Sequence, residues 1–260
     1  MGASFSTAEI AAQRVLYECG LDEPTDFPIE TIIRGRGATY EEKSLKGKEG
    51  EIVSFQGKSI ITINSEISFL PKKRFAAAHE LGHYELHRHI LPIISDSEYN
   101  LVSWFQSNQY EKEANDFASE FLMPTDIFRS ECTGKFNPEL IDYLADGFDV
   151  SKTAAILKFV KCGHYPVGVI YCKDNRMGWF KTSSDFNEFI EFDGNSPPPY
   201  GTVAYEMFNT TNRYYGDERQ QEVYKSCWLK LKSRESDYLI KEFCLFVPFY
   251  NYTISVIWQS

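Results

Sequence analysis

Residues 74–90 read RFAAAHELGHYELHRHI and hold four of the chain's five histidines. His79 and His83 are four residues apart, so on a helix they lie about 40° apart around the axis and about 6 Å apart along it. Both imidazoles then project from one face and can hold a single Zn²⁺ ion. Pro71 suits the first turn of such a helix and predicts where it begins. His87 lies one further turn along the same face, and we expect it to border the site rather than bind the metal.

Glu80 lies beside the first of these histidines, about 100° further round the helix axis. From there its carboxylate can reach a zinc-activated water without being a metal ligand itself. This is the division of roles in the H-E-x-x-H pattern, where the glutamate takes a proton from water and later delivers it to the leaving amine. The pattern therefore indicates Glu80 as the catalytic base of a zinc hydrolase.

A catalytic zinc needs a third protein ligand, for which the chain offers three candidates. Glu111 and Asn115 share one face of a helix predicted over residues 110–122, with Glu111 as ligand and Asn115 as hydrogen-bond acceptor for the far nitrogen of a ligand histidine. Glu113 is an alternative, but it points about 200° away from Glu111 on that helix. His89 has the spacing of H-E-x-x-H-x-x-G-x-x-H, but leucine stands where that pattern needs glycine. A continuous helix would put His89 about 15 Å along the axis from the first histidine.

Composition narrows the function classes. The net charge is -10 and the pI about 5.1, which argues against direct nucleic-acid binding. The six cysteines form no C-x-x-C pair, so we expect free thiols in a reducing cytoplasm. No apolar run reaches the length of a membrane span, and the N-terminal residues do not have the pattern of a secretory signal.

The pattern of apolar and polar residues changes along the chain. Helical patterns dominate up to about residue 162, whereas the later residues alternate like strands and are rich in aromatic side chains. We predict an α+β protein with two domains. The first, residues 1–162, is a mainly helical zinc-peptidase domain with a small β-hairpin or sheet over the active-site helix. The second, residues 163–260, is a mixed α/β domain.

RFAAAHELGH followed by EKEANDFASEFLMP resembles the ImmA/IrrE family of metallo-endopeptidases, and residues 7–160 fit that domain. The resemblance implies one catalytic zinc with the geometry of thermolysin-like peptidases. It implies that the metal ligands are His79, His83 and Glu111. It also implies that Glu80 is the general base.

The resemblance implies cytoplasmic proteins that act beside a helix-turn-helix repressor or a toxin–antitoxin partner. It therefore predicts a protein substrate, such as a DNA-binding repressor cleaved in response to stress, and no direct contact with nucleic acid or membrane. A sensing or docking role for the C-terminal domain rests on analogy alone. Two alternatives remain: a non-catalytic, metal-dependent toxin–antitoxin partner, and a DNA-binding regulator that uses residues 137–160. Only Lys152 and Lys158 are basic in the second helix of that segment, which weighs against the regulator.

The segment EGEIVSFQGKSIITINSEI alternates on both sides of Gln56-Gly57 and predicts a β-hairpin, with strands near residues 51–55 and 59–64. An edge strand beside the active-site helix can pair with an extended peptide and align the carbonyl to be cleaved, and we expect residues 51–64 to provide it. The alternative is an ordinary structural hairpin.

Overall fold

A computed structural model of the protein describes residues 5–21, 25, 28–90, 93–95, 109–210 and 216–259. Their internal contacts divide the chain into two compact units. The first comprises Met1–Phe128 and Ala145–Ser151, and the second comprises Arg129–Leu144 and Lys152–Ser260. Among the described residues, no helix combines the length and the apolar composition that crossing a membrane requires.

Four helices define the first unit: α1 (Thr7–Glu18), α2 (Ile29–Gly35), α3 (Leu70–His87) and α4 (Gln109–Leu122). The helix α1 begins with a capping box, in which the backbone N–H of Glu9 donates to the Ser6 hydroxyl and that of Ser6 donates to the Glu9 carboxylate. Pro71 lies in the first turn of α3, as predicted. Pro124 separates α4 from the next helix, α5 (Thr125–Glu131).

The sheet of the first unit contains β1 (Thr39–Lys43), β2 (Gly50–Phe55), β3 (Lys58–Asn64) and β4 (Ile93–Ser95), in the order β1-β3-β2-β4. The predicted hairpin is β2–β3, and Gln56 and Gly57 both have positive φ at its turn. However, β4 pairs with Glu51–Val53 and β1 pairs along β3. The hairpin is therefore interior to the sheet, and the expectation that one of its strands is an edge strand was wrong.

The sheet packs against α3 through one apolar face, on which Ile52, Ile61 and Ile63 are buried. The helix α4 packs against α3 and α1 through its buried apolar residues, which include Ala114, Phe117, Ala118 and Phe121. The sheet and α4 together bury the middle of α3, so His79, Glu80 and His83 are shielded from solvent.

The second unit contains α6 (Pro138–Gly147, apart from its last three residues), α7 (Lys152–Cys162), α8 (Val203–Asn209) and α9 (Lys225–Trp228). Asn137 caps α6, since its side chain accepts the backbone N–H of Leu140 at 2.8 Å. A five-stranded antiparallel sheet is built in the order β6-β5-β9-β8-β7. Its strands are β5 (Gly168–Lys173), β6 (Arg176–Thr182), β7 (Glu218–Tyr224), β8 (Leu239–Val247) and β9 (Tyr252–Trp258).

Apolar side chains cover both faces of this second sheet. On one face Met207 of α8 lies in a buried cluster with Ile170 and Trp228. On the other, the Phe136 ring contacts those of Phe159 and Trp258, with centroids 5.3 and 4.7 Å apart.

The contacts thus group residues 129–144 and 152–162 with the C-terminal strands, whereas the sequence put the domain boundary after residue 162. The α+β class is confirmed. The extent of each domain as an independent folding unit stays a prediction.

Candidate metal centre

Two imidazoles of α3 face each other at the centre of the first unit. His79 and His83 are 1% and 0% exposed, and their Nε2 atoms are 3.0 Å apart. The separation follows from the four-residue spacing on a continuous helix, which puts both rings on one face. Several of their neighbours on α3, namely Ala78, Leu81 and Gly82, are small or apolar and buried, so the two rings lie in a tightly packed layer.

Glu111, in the first turn of α4, brings a carboxylate to the same point. Its Oε2 atom lies 3.3 Å from His79 Nε2, and its Oε1 atom lies 3.5 Å from His83 Nε2. Among the described residues, these three side chains form a group that could hold a metal ion. Zinc bonds of about 2.0–2.1 Å in a tetrahedral arrangement put ligand atoms about 3.3 Å from one another. The three separations match that value, so the donor set fits a zinc ion.

Each histidine has a polar partner on its far nitrogen. His79 Nδ1 lies 2.8 Å from Asn115 Oδ1, the hydrogen bond expected from the spacing of α4. His83 Nδ1 lies 3.0 Å from Nδ1 of His87, whose Nε2 lies 2.9 Å from Glu113 Oε2. Because the Asn115 oxygen accepts, His79 Nδ1 carries the proton and the lone pair of Nε2 points toward Glu111.

Glu80 is 1% exposed and its carboxylate packs against the backbone of Gly50, the first residue of β2. A Cβ added to Gly50 would lie 2.6 Å from Glu80 Oε1, closer than non-bonded atoms approach. Glu80 therefore occupies space that only a glycine at position 50 leaves open.

The other candidate ligands lie elsewhere. His89 is exposed in the turn after α3. Glu113 does face the histidines of α3, although we expected it to point away, but its carboxylate contacts His87 rather than the group of three. Burial raises the pKa of Glu113, but hydrogen bonds from His87 and Gln109 lower it, and the net shift is downward, so Glu113 is a carboxylate near neutral pH.

Sequence reasoning missed two contacts of this centre. The link from His83 through His87 to Glu113 joins three residues on two helices, and only the i, i+4 spacing of the histidines hinted at it. The contact between Gly50 and Glu80 had no signal in the sequence, because glycine at the start of a strand is common near turns.

This arrangement defines the H-E-x-x-H metallopeptidase class: two histidines one turn apart, a glutamate beside the first, and a carboxylate from a second helix. Residues 35–159 match the family model described as the IrrE N-terminal-like domain. The chain therefore carries a metallopeptidase domain of the ImmA/IrrE family, and the resemblance seen in the sequence is confirmed over this segment.

A solved structure of a Mycobacterium tuberculosis transcriptional regulator is similar to this fold. The TM-score is 0.62 at 13% sequence identity, and the match covers 98% of this chain and 77% of that one. At this identity the similarity concerns the fold alone. Among curated proteins, none matches the chain.

Proposed function

We propose that this protein is a zinc-dependent endopeptidase that cleaves a partner protein. The observation that carries the proposal is the convergence of His79, His83 and Glu111 within 3.0–3.5 Å of one another, with Glu80 buried next to them on the same helix. Three acceptor atoms at such separations repel one another unless a cation lies among them. Membership of a metallopeptidase family supports the same conclusion.

In the proposed mechanism His79, His83 and Glu111 hold the metal, and Asn115 keeps His79 in the tautomer that leaves Nε2 free to bind. A zinc ion in this site supplies Lewis acidity, which lowers the pKa of water and polarises a peptide carbonyl. Glu80 takes the proton from the attacking water and delivers it to the leaving amine. Its burial against β2 keeps the carboxylate in one position during both transfers.

For the substrate, we propose a helix-turn-helix repressor. The resemblance to ImmA/IrrE peptidases supports this choice, since members of that family commonly act beside such a repressor. The name of the similar solved structure, a transcriptional regulator, agrees with a place in transcriptional control.

Direct DNA binding through residues 137–160 has less support. Lys152, at the start of α7, pairs with Asp142 at 2.7 Å and with Glu218 at 2.8 Å, so its charge is compensated within the protein. Most of α7 is buried, including Ala155, Ile156, Lys158, Phe159 and Val160. A recognition helix needs an exposed face for the major groove, and the net charge of the chain is -10.

The test compares wild type with Glu80→Gln and His83→Ala, produced in the same host cells. Metal analysis should find about one zinc per chain in wild type and in Glu80→Gln, and none in His83→Ala. Mapping of new protein N-termini in the cell extracts should find cleavage products with wild type only. If Glu80→Gln produced the same termini as wild type, the proposed mechanism would be wrong.

A further inference from the structure

We propose that His87 and Glu113 are positioning residues that hold His83 in the tautomer that binds a metal. The inference rests on the metal site of the proposed function. It concerns three hydrogen-bonding groups in series, His83, His87 and Glu113, which we call the relay. The relay runs from the metal site to the carboxylate of Glu113, which is 32% exposed.

The direction of each hydrogen bond in the relay follows from the carboxylate of Glu113, the last group in the series. A carboxylate only accepts, so the 2.9 Å contact with Glu113 requires that His87 carries a proton on Nε2. A neutral imidazole has one N–H, so Nδ1 of His87 is then an acceptor. The 3.0 Å contact between the two Nδ1 atoms therefore requires His83 to donate. His83 Nε2 is left with its lone pair, directed at His79 Nε2 and Glu111.

The packing around His87 leaves its ring little freedom. The side chain is buried, and the ring of Tyr110 meets it edge-on at a centroid distance of 5.0 Å. Gln109 donates a hydrogen bond of 2.7 Å to the second oxygen of Glu113, which holds the carboxylate in place. The first turn of α4 therefore provides one metal ligand, Glu111, and also the groups that orient another ligand on α3.

The two histidine ligands are thus oriented by different means. His79 donates to the neutral amide of Asn115, whereas His83 is connected through His87 to a carboxylate. If His87 were replaced by an apolar ring, the buried Nδ1–H of His83 would lose its acceptor. The other tautomer, with the proton on Nε2, would then gain population, and in that tautomer His83 cannot bind a metal.

The experiment measures the affinity for zinc by competition with a chromophoric chelator, which does not depend on activity. His87→Phe and Glu113→Ala should each weaken zinc binding by about 10–100-fold. Glu113→Gln should lose less zinc affinity than Glu113→Ala, because the amide oxygen of the glutamine still accepts a hydrogen bond from His87. His89→Phe, at an exposed position two residues from His87, is the matched control and should bind zinc like wild type.

A second measurement covers the case in which His87→Phe does not fold. Long-range ¹H–¹⁵N spectra of the metal-free wild type, in which no metal fixes the tautomer, should assign the proton of His83 to Nδ1. Unchanged zinc affinity in both His87→Phe and Glu113→Ala, or a proton on Nε2 of His83, would overturn the proposal. So would complete loss of zinc in Glu113→Ala with retention in Glu111→Ala, since Glu113 would then be the ligand. A wild type that binds no zinc would overturn the proposed function as well, which distinguishes the two failures.

Discussion

The backbone of Gly50 lies directly against the side chain of Glu80. A Cβ built on Gly50 would lie 2.6 Å from Glu80 Oε1 and 2.8 Å from its Cγ. The φ angle of Gly50 is not in the left-handed region, so the requirement for glycine is steric rather than conformational. The strand β2 therefore helps to set the position of the proposed general base.

We expect Gly50→Ala to move the Glu80 carboxylate away from its place while leaving the three proposed ligands on α3 and α4 intact. A displacement of about 1 Å at a reacting group costs about 100-fold in rate. The variant should therefore bind about one zinc per chain but cleave the partner protein about 100-fold more slowly. Metal analysis and cleavage rates on the same preparation measure both effects.

Gly35→Ala is the matched control for this prediction. Gly35 is the last residue of α2, and a Cβ added there meets no atom within 4 Å. This variant should cleave at the wild-type rate. A wild-type rate in Gly50→Ala, or loss of its zinc, would contradict the steric account of the contact.

Local periodicity was enough to predict the two ligand candidates on α3 and the pairing of Asn115 with a ligand histidine. Four-residue spacing determines which side chains share a face of a helix, and this holds whatever the helix packs against. Glu111 lies beside the two histidines, and its four-residue spacing from Asn115 puts both on one face of α4. Its role as a metal ligand stays a prediction.

Features that depend on which elements become neighbours could not be predicted in this way. The short strand β4 covers the edge of β2, and its three residues carry too little pattern to be recognised. The helix α7 packs in the second unit, although most of it lies within residues 35–159, which match the peptidase family model. In both cases long-range contacts decide the outcome, and a local pattern does not contain them.

Gly82 permits the close approach of α3 and α4. A Cβ at this position would lie 3.1 Å from Phe117 Cβ, 3.1 Å from the ring atom Cδ1 of Phe117 and 3.2 Å from the Cα of Ala114. Alanine favours a helix by about 1 kcal/mol over glycine, but overpacking costs about 1–3 kcal/mol. We expect Gly82→Ala to lower the free energy of unfolding by about 1 kcal/mol and to weaken zinc binding, because Glu111 moves away with α4.

Denaturant unfolding of the metal-free protein measures the first effect, and chelator competition measures the second. Combining Gly82→Ala with Phe117→Leu should relieve part of the clash, so the loss in the double variant should be smaller than the sum of the single losses. Additive losses would show that the ring of Phe117 does not contribute to the clash.

The cysteines should differ sharply in reactivity. Burial raises the pKa of Cys132 and of Cys172 to about 12, and it also raises that of Cys244, so few of these thiols are ionised at pH 8. Cys19 is exposed. We expect iodoacetamide at pH 8 to modify Cys19 within minutes and the three buried thiols only after unfolding.

Mass spectrometry of digested samples identifies the modified positions. A parallel reaction in guanidinium chloride is the control, and there all six cysteines should react. Rapid modification of Cys172 or Cys244 in the native protein would mean that the second sheet opens on the time scale of the reaction.

Lys225 is fully buried in the second unit, where its Nζ lies 2.7 Å from Glu235 and 2.9 Å from Glu188. Lys225→Met removes the cation and leaves both carboxylates without it. Removal of one partner of a buried ion pair costs about 3–5 kcal/mol. The two glutamate side chains are 21% and 13% exposed, so we expect a loss near the lower end, about 3 kcal/mol in the free energy of unfolding at pH 7.

The dependence of this loss on pH tests its electrostatic origin. Burial lowers the pKa of Lys225, but its ion pairs raise it further, so the lysine stays charged up to and beyond its ordinary value near 10.4. A hydrogen bond from Lys225 lowers the pKa of Glu235, so the stability that this carboxylate contributes is present above its ordinary pKa and is lost as the pH falls through the lowered value. The difference in the free energy of unfolding between wild type and Lys225→Met should therefore be constant from pH 6 to about 9 and should shrink below about pH 4. Urea unfolding at pH 3 and pH 7 measures it, and an equal difference at both values would mean that lost packing of the lysine stem, rather than lost charge, causes the destabilisation.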